Sequence, residues 1–177
     1  MAVDMKERIA ASFAALAQKK PVDKITVKEL VELCGISRQT FYYHFQDLLE
    51  VMQWQIERIL QQAVESSLHA ENSLKGIEGF ISISLEHQEL LGKLLASQRR
   101  AQVERIFVRA MRESIREMIL QKKPDWAVDA QDWEVTLNFY AYGMAGVVFE
   151  NSQSGKLGTE KLAQKLYRLL AGQMLEV

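Results

Sequence analysis

Proline is nearly absent from this chain: two residues in 177, Pro21 and Pro124. With so few helix breakers, and an abundance of Ala, Leu, Glu, Gln, Lys and Met, the chain is expected to be all-α. Cysteine occurs once, as Cys34, which excludes an internal disulfide framework and a paired-cysteine metal site. No run approaches the roughly 20 consecutive apolar residues that a membrane helix needs. The opening residues, MAVDMKER, offer neither the basic region nor the apolar stretch of a secretory signal. A cytoplasmic location without membrane contact is therefore expected. An excess of one charge is missing too: the net charge is −1, so the whole-chain field gives no argument for nucleic acid. Catalytic signatures are also lacking. There is no Gly-rich phosphate loop, no G-x-S-x-G elbow and no H-E-x-x-H pair. His44, His69 and His87 are scattered, and Ser82, Ser84, Glu86 and His87 match no acyl-transfer arrangement. No catalytic residue, metal or cofactor is expected.

What is present is concentrated between Thr26 and Phe45, TVKELVELCGISRQTFYYHF. Thr26 and Glu29 have the spacing of a capping box, which satisfies two backbone donors at the start of a helix. Leu30, Val31 and Cys34 then fall on one helical face. Gly35 stands where that helix must turn sharply, a place that favours a left-handed backbone and hence glycine. Ser37 is suited to cap a second helix. Arg38, Gln39 and Thr40 occupy its first turn, and Phe41 and Phe45, four apart, face a core. Tyr42, Tyr43 and His44 bring hydroxyls, aromatic faces and an imidazole to the outer side. Two short helices and a tight turn, with hydrogen-bonding groups leading the second, are the layout of a helix-turn-helix.

This stretch resembles the DNA-binding domain of the TetR family of transcriptional regulators. The positions that carry the resemblance are Thr26, Val27, Leu30, Gly35, Ile36, Ser37, Thr40, Phe41, Tyr42, His44 and Phe45. The resemblance covers about the first third of the chain. It implies an N-terminal three-helix DNA-binding domain, residues 1–47, followed by a helical ligand-binding and dimerisation domain, residues 48–177. It implies a homodimer on palindromic double-stranded operator DNA, acting as a repressor. The residues expected at the duplex are Thr26, Lys28, Ser37, Arg38, Gln39, Thr40, Tyr42, Tyr43 and His44. Among them Arg38 suits a guanine edge and Gln39 an adenine edge. One position departs from the family pattern: Leu48 stands where a lysine is common. The leucine brings no cation to a helix N-terminus that could otherwise hold a phosphate.

Charge is balanced inside this head. Residues 1–50 hold seven basic side chains (Lys6, Arg8, Lys19, Lys20, Lys24, Lys28, Arg38) and seven acidic ones. Lys19 and Lys20 read either as phosphate contacts or as the solvated end of the first helix. That helix is expected from about Asp4 to Lys19, ended by Pro21, with Val22 to Ile25 as a connector. After the head, Asp47 is placed to cap a long helix reaching about Ser67.

Apolar residues make up 48% of the chain, enough for a sizeable second core in the remaining residues. Amphipathic stripes run through Ile77, Phe80, Ile81, Ser84 and Leu85, through Leu90, Leu91, Leu94 and Leu95, and from Val103 to Ile119. The arginines between Arg99 and Arg116 are interleaved with Glu104, Glu113 and Glu117. They read as a solvated face with i,i+4 ion pairs, or as a second nucleic-acid surface. Residues 125–130 are expected to form a loop, as are residues 151–158. The helix between them is apolar around most of its circumference, which calls for burial on more than one side. In the family the last two helices of each subunit form an intersubunit bundle. The resemblance thus puts Trp133, Leu137, Gly143, Gly146, Leu162, Leu166, Leu169 and Leu170 at a dimer interface; a purely internal core is the alternative. It also implies a small apolar or aromatic effector held among helices. Candidates are Trp54, Phe80, His87, Phe107, Met111, Trp126, Tyr140 and Met144, each of which could equally be core packing. Control by a protein partner, or a helical interaction module that binds little DNA, are the other readings left open.

Overall fold

Local capping explains where the helices begin. The computed structural model describes residues 4–122, 129–154 and 158–170. Helix α1 spans Met5–Lys19, with the Asp4 carboxylate accepting from the Lys6 amide at 3.1 Å. A single 3-10 turn at Val22–Lys24 follows Pro21. Helices α2 (Val27–Cys34) and α3 (Arg38–His44) form the hairpin, and α4 runs Leu48–Leu68. The Asp47 carboxylate caps α4 by accepting from the Glu50 amide at 2.9 Å. Then come α5 (Ser73–Glu86, capped by Asn72), α6 (Gln88–Leu95), α7 (Arg100–Lys122), α8 (Ala130–Ser154) and α9 (Thr159–Leu170). All regular structure among the described residues is helical, as the composition predicts. No described helix is long and apolar enough to cross a membrane.

The chain forms two compact units. The first gathers the residues up to Glu57 together with Leu90–Phe107. Its core is built on Ile9, Phe13, Leu30, Phe41, Phe45 and Met52, all at most 1% exposed. Burying one such side chain stabilises by roughly 1.5–3 kcal/mol. The unit extends beyond residues 1–47, because α6 and the turn after it belong to it. The Lys93 ammonium donates to the Gln18 carbonyl at 3.1 Å, and the Gln98 amide donates to the Asp23 carboxylate at 3.0 Å. These clasps hold segments 75 residues apart.

The second unit comprises Arg58–Glu89 and the residues from Val108 onward. Here α5 crosses α4 closely. A Cβ added at Gly76 would stand 2.8 Å from the Ser67 hydroxyl, and one at Gly79 would stand 2.5 Å from that of Ser66. Small residues on both sides permit this approach. Helix α9 packs chiefly along α5, burying Leu162, Ala163 and Leu166. Two boundaries differ from the sequence expectation. Helix α8 continues through Ser154, because no proline or glycine interrupts Glu150, Asn151 and Ser152, and Asn151 is buried in it. Ala130 opens α8 and is not loop: the Asp129 carboxylate accepts from the Gln131 amide at 2.8 Å. Residues 125–128 of that expected loop, Trp126 among them, lie outside the described residues.

Candidate nucleic-acid interface

Helix α2 starts with a complete capping box. The Glu29 amide donates to the Thr26 hydroxyl oxygen at 3.3 Å, and the Glu29 carboxylate accepts from the Thr26 amide at 3.1 Å and its hydroxyl at 2.8 Å. The same carboxylate pairs with the Lys20 ammonium at 2.5 Å, and Lys20 also donates to the Lys24 carbonyl. Hydrogen bonds from Lys20 and then from Thr26 pull the Glu29 carboxyl down to about 2. The charge of Lys20 is thus engaged within the head, whereas Lys19 is exposed. Thr26 is exposed as well, but its hydroxyl proton is committed to Glu29.

Helix α2 ends at Gly35, whose φ of +63° is the left-handed conformation expected for a helix stop. A Cβ there would meet nothing nearer than 3.7 Å, so the backbone conformation, and not crowding, is what calls for glycine. The Ile36 amide returns to the Val31 carbonyl at 3.1 Å. The Arg8 guanidinium, reaching from α1, donates to the Cys34 carbonyl. The turn is thus held from both sides, and Cys34 is buried at 4% exposure as a small apolar residue.

Ser37 caps α3 by accepting from the Thr40 amide at 3.0 Å, and its hydroxyl lies 2.9 Å from that of Thr40. Along α3 the helical period separates two faces. Phe41 and the following Phe45 point inward, their rings 6.2 Å apart, and Trp54 packs edge-on against Phe45 at 6.3 Å. Arg38, Gln39, Tyr42 and Tyr43, at i, i+1, i+4 and i+5, share the solvent face. Tyr42 is 57% exposed and Tyr43 84%, unusually high for large aromatics in a well-packed head. Thr40 and His44 flank this face, half-buried. On α2, Lys28 is exposed, 4.0 Å from Glu32. The head therefore presents a short rod with two planar hydrogen-bonding side chains at its leading end and two phenols behind them. Such a surface can donate to and accept from base edges and phosphate oxygens.

The α4 terminus is different. Besides the Asp47 cap, the Glu50 carboxylate accepts from the Gln46 amide at 2.5 Å. Two carboxylates serve the end at which the sequence left backbone amides available to a phosphate. With Leu48 bringing no cation, this end does not offer a bare positive terminus.

The effector candidates separate into groups. Phe80, Met111, Tyr140 and Met144 line one cavity of about 400 Å³ in the second unit, with Ser67, Gly76, Ile77, Ile115, Met118, Ile119, Thr136 and Leu170. Trp54, Phe107 and His87 are not among the lining residues. Trp54 lies against Phe45, and Phe107 is buried in the first unit. His87 is the C-cap of α5, where burial pushes its imidazole below the ordinary value. The interface candidates also separate. Leu137, Leu162 and Leu166 are buried within the subunit, so their apolar area is already covered. Trp133 is half-buried, while Leu169 and Leu170 remain 47% and 41% exposed. Gly143 and Gly146 are exposed with nothing within 4 Å of an added Cβ. Beside them on α8 stand Val135, Phe139 and Tyr142, 65–72% exposed. The sequence marks Phe139 and Tyr142 only as part of a second apolar side of this helix and does not single out Val135, although the i, i+4, i+7 spacing could have marked the three as one stripe.

The arginines of α7 are largely in ion pairs with their own helix or with α8. Arg100 pairs with Glu104 at 2.7 Å, Arg112 with Glu134 at 2.5 Å and Arg116 with Glu113 at 3.7 Å. That pattern fits a solvated, charge-balanced face. Among the described residues no group of His, Cys, Asp and Glu side chains could hold a metal ion.

Comparison with known proteins agrees with this geometry. Residues 9–48 match the profile described as bacterial regulatory proteins, tetR family, and residues 71–172 match a transcriptional regulator C-terminal region of that family. Among solved structures the chain is similar to Lin0861 from Listeria innocua, with 20% identity over 99% of this chain and 96% of that one, at a TM-score of 0.73. It is similar to the dihydroxyacetone kinase operon activator DhaS, with 22% identity over 95% and 94% of the two chains, at 0.70. A tetR-family transcriptional regulator from Streptomyces coelicolor shares 14% identity over 96% and 82%, at 0.67. At such identities the structures speak to the fold alone. No curated protein sequence matches. The C-terminal match spans more than half of the chain and the N-terminal match covers the head, so this chain belongs to the TetR family of DNA-binding transcriptional regulators, a non-enzymatic family.

Proposed function

We propose that this regulator acts as a homodimer on a pseudo-palindromic operator, as a repressor whose DNA affinity is controlled by an effector in the C-terminal unit. The observation that carries the base-reading part is the solvent face of α3. Arg38 and Gln39 lead it, exposed and without a competing partner among the described contacts. Arg38 is assigned to a guanine edge, and Gln39 to adenine. Lys28, Tyr42, Tyr43 and His44 hold phosphates or flank the bases, and Ser37 and Thr40 fix the leading turn. Thr26, exposed at the start of α2, closes the capping box and stands with the residues that hold phosphates.

The dimer rests on the α8 stripe. Val135, Phe139 and Tyr142 beside Gly143 and Gly146 make an apolar strip that one subunit leaves uncovered. A contiguous exposed patch of this kind marks an association surface, and the glycines admit a second backbone. A twofold pair then sets two heads on successive helical turns, about 34–36 Å apart or a multiple of that.

Mobility shift of duplexes at rising salt tests the reading. The account expects retardation that weakens with salt, and gently, because Lys20 and Arg8 are engaged inside the head. Arg38→Ala is expected to cost roughly 1–3 kcal/mol and to relax preference at one position of each half-site. Unchanged affinity for every duplex would refute the base-reading role of Arg38. Absence of retardation at any salt would favour a helical module that binds protein instead.

A further inference from the structure

We infer that the cavity in the C-terminal unit takes an uncharged, predominantly apolar molecule carrying at most a hydroxyl or carbonyl, and that it rejects carboxylates and phosphates. The effector-controlled regulator is the reading on which its regulatory meaning rests; the binding chemistry stands on the cavity itself. A space of about 400 Å³ lies between α4, α5, α7, α8 and the end of α9. That volume falls in the range of small-molecule sites and far exceeds the gaps that close packing leaves in a core.

The lining decides the class. No described lining residue carries a charge. An anion placed against these walls would lose hydration without gaining a counter-ion from the lining, which is costly. Arg112 follows Met111 in the chain and does not line the cavity; its terminal nitrogen pairs with Glu134 at 2.5 Å, while its Nε is buried without a hydrogen-bond partner among the described residues. The polar side chains that do line it, Ser67, Thr136 and Tyr140, are all hydroxyl-bearing, suited to one neutral hydrogen bond. Among the described residues the Ser67 hydroxyl has one long contact, 4.0 Å to the Met118 sulfur. Met111, Met118 and Met144 supply unbranched, polarisable walls that adapt to ligand shape. Gly76 lets α5 close against α4 at this wall, since a Cβ there would stand 2.8 Å from the Ser67 hydroxyl.

The test uses the full-length protein and the neutral fluorophore N-phenyl-1-naphthylamine, displaced by 1-decanol or by decanoate at a pH where the acid is ionised. Saturable binding is expected, with 1-decanol displacing the probe at concentrations at least tenfold lower than decanoate. Equal or better displacement by decanoate would overturn the proposal, as would the lack of saturable binding. Ile115→Trp and Met144→Trp, which fill the cavity, are expected to weaken probe binding at least tenfold while the helical circular-dichroism signal is kept. Two folded variants that bind the probe like the parent would place the probe elsewhere and refute the assignment. Retardation of duplex DNA is measured in parallel. Specific probe binding in a protein that retards no DNA would uphold the cavity chemistry and overturn the regulator reading. DNA binding without saturable probe binding would do the reverse.

Discussion

The two units manage their surfaces in opposite ways. In the head, backbone and side-chain donors are closed locally: Thr26 with Glu29, Ser37 with Thr40, and the Gly35 turn with Arg8. On α3 it leaves exposed polar or amphipathic side chains, Arg38, Gln39, Tyr42 and Tyr43, and the large apolar side chain it exposes on α2 is Leu33, at 50%. The C-terminal unit leaves apolar area unfilled, outside along Val135, Phe139 and Tyr142 and inside around Met111, Tyr140 and Met144. A rigid, self-satisfied head presents a fixed pattern of donors and acceptors. A body with uncovered apolar surface invites another molecule. Under the proposed function, this contrast separates a reading surface from surfaces for association and sensing.

The largest expected effect comes from removing the internal support of the reading face. Phe41 is fully buried on the inner face of α3, so Phe41→Ala is expected to lower stability by roughly 3–5 kcal/mol. Denaturant unfolding and mobility shift should both register it. A variant that stays stable but loses DNA binding would mean the face is not supported from within.

Next comes the apolar strip. Phe139→Asp is expected to weaken self-association by about 2–4 kcal/mol, as for a central interface aromatic, while leaving the fold of the monomer intact. Sedimentation velocity across a concentration series reads the shift from dimer to monomer. A mutant that remains dimeric would remove the α8 stripe from the interface.

How much of this was legible in the sequence differs between the units, for a physical reason. Caps, a left-handed glycine and a four-residue aromatic spacing act within one or two turns, so Thr26, Glu29, Gly35, Ser37, Phe41 and Phe45 could be read directly. The clasp between Asp23 and Gln98 could not, because it joins residues far apart whose types signal nothing. In the body, periodicity marks apolar residues but not which neighbour covers them. Leu137, Leu162 and Leu166 are covered by their own subunit, while Phe139 and Tyr142, on the face given less weight, remain open. Aromatic character guided the cavity only in part: Phe80 and Tyr140 line it together with Ile115 and Met118, whereas Trp54 and Phe107 serve the first core.

Smaller effects sharpen the picture of the head. Gly35→Ala must hold a left-handed backbone with a side chain, expected to cost about 1–2 kcal/mol and visible as a lower thermal midpoint. If the loss were absent, the turn would have to adopt another geometry. The Glu29 carboxyl has a folded value near 2, below its ordinary 4.5. A depressed carboxyl contributes stability that is full above the ordinary value and lost as pH falls through the folded one. Stability should therefore decline between about pH 4.5 and 2 more steeply in the parent than in Glu29→Gln. Parallel profiles would show that the Lys20–Glu29 pair does not matter to folding.

The central claim is that the exposed turn of α3 reads duplex DNA from a symmetric pair of heads. Selection of bound duplexes from a random pool tests it most directly, with Arg38→Ala run alongside. The account predicts enrichment of a pseudo-palindrome, with the Arg38→Ala pool losing preference at one symmetry-related position in each half. Enrichment of no sequence, or of one unchanged by the substitution, would contradict it.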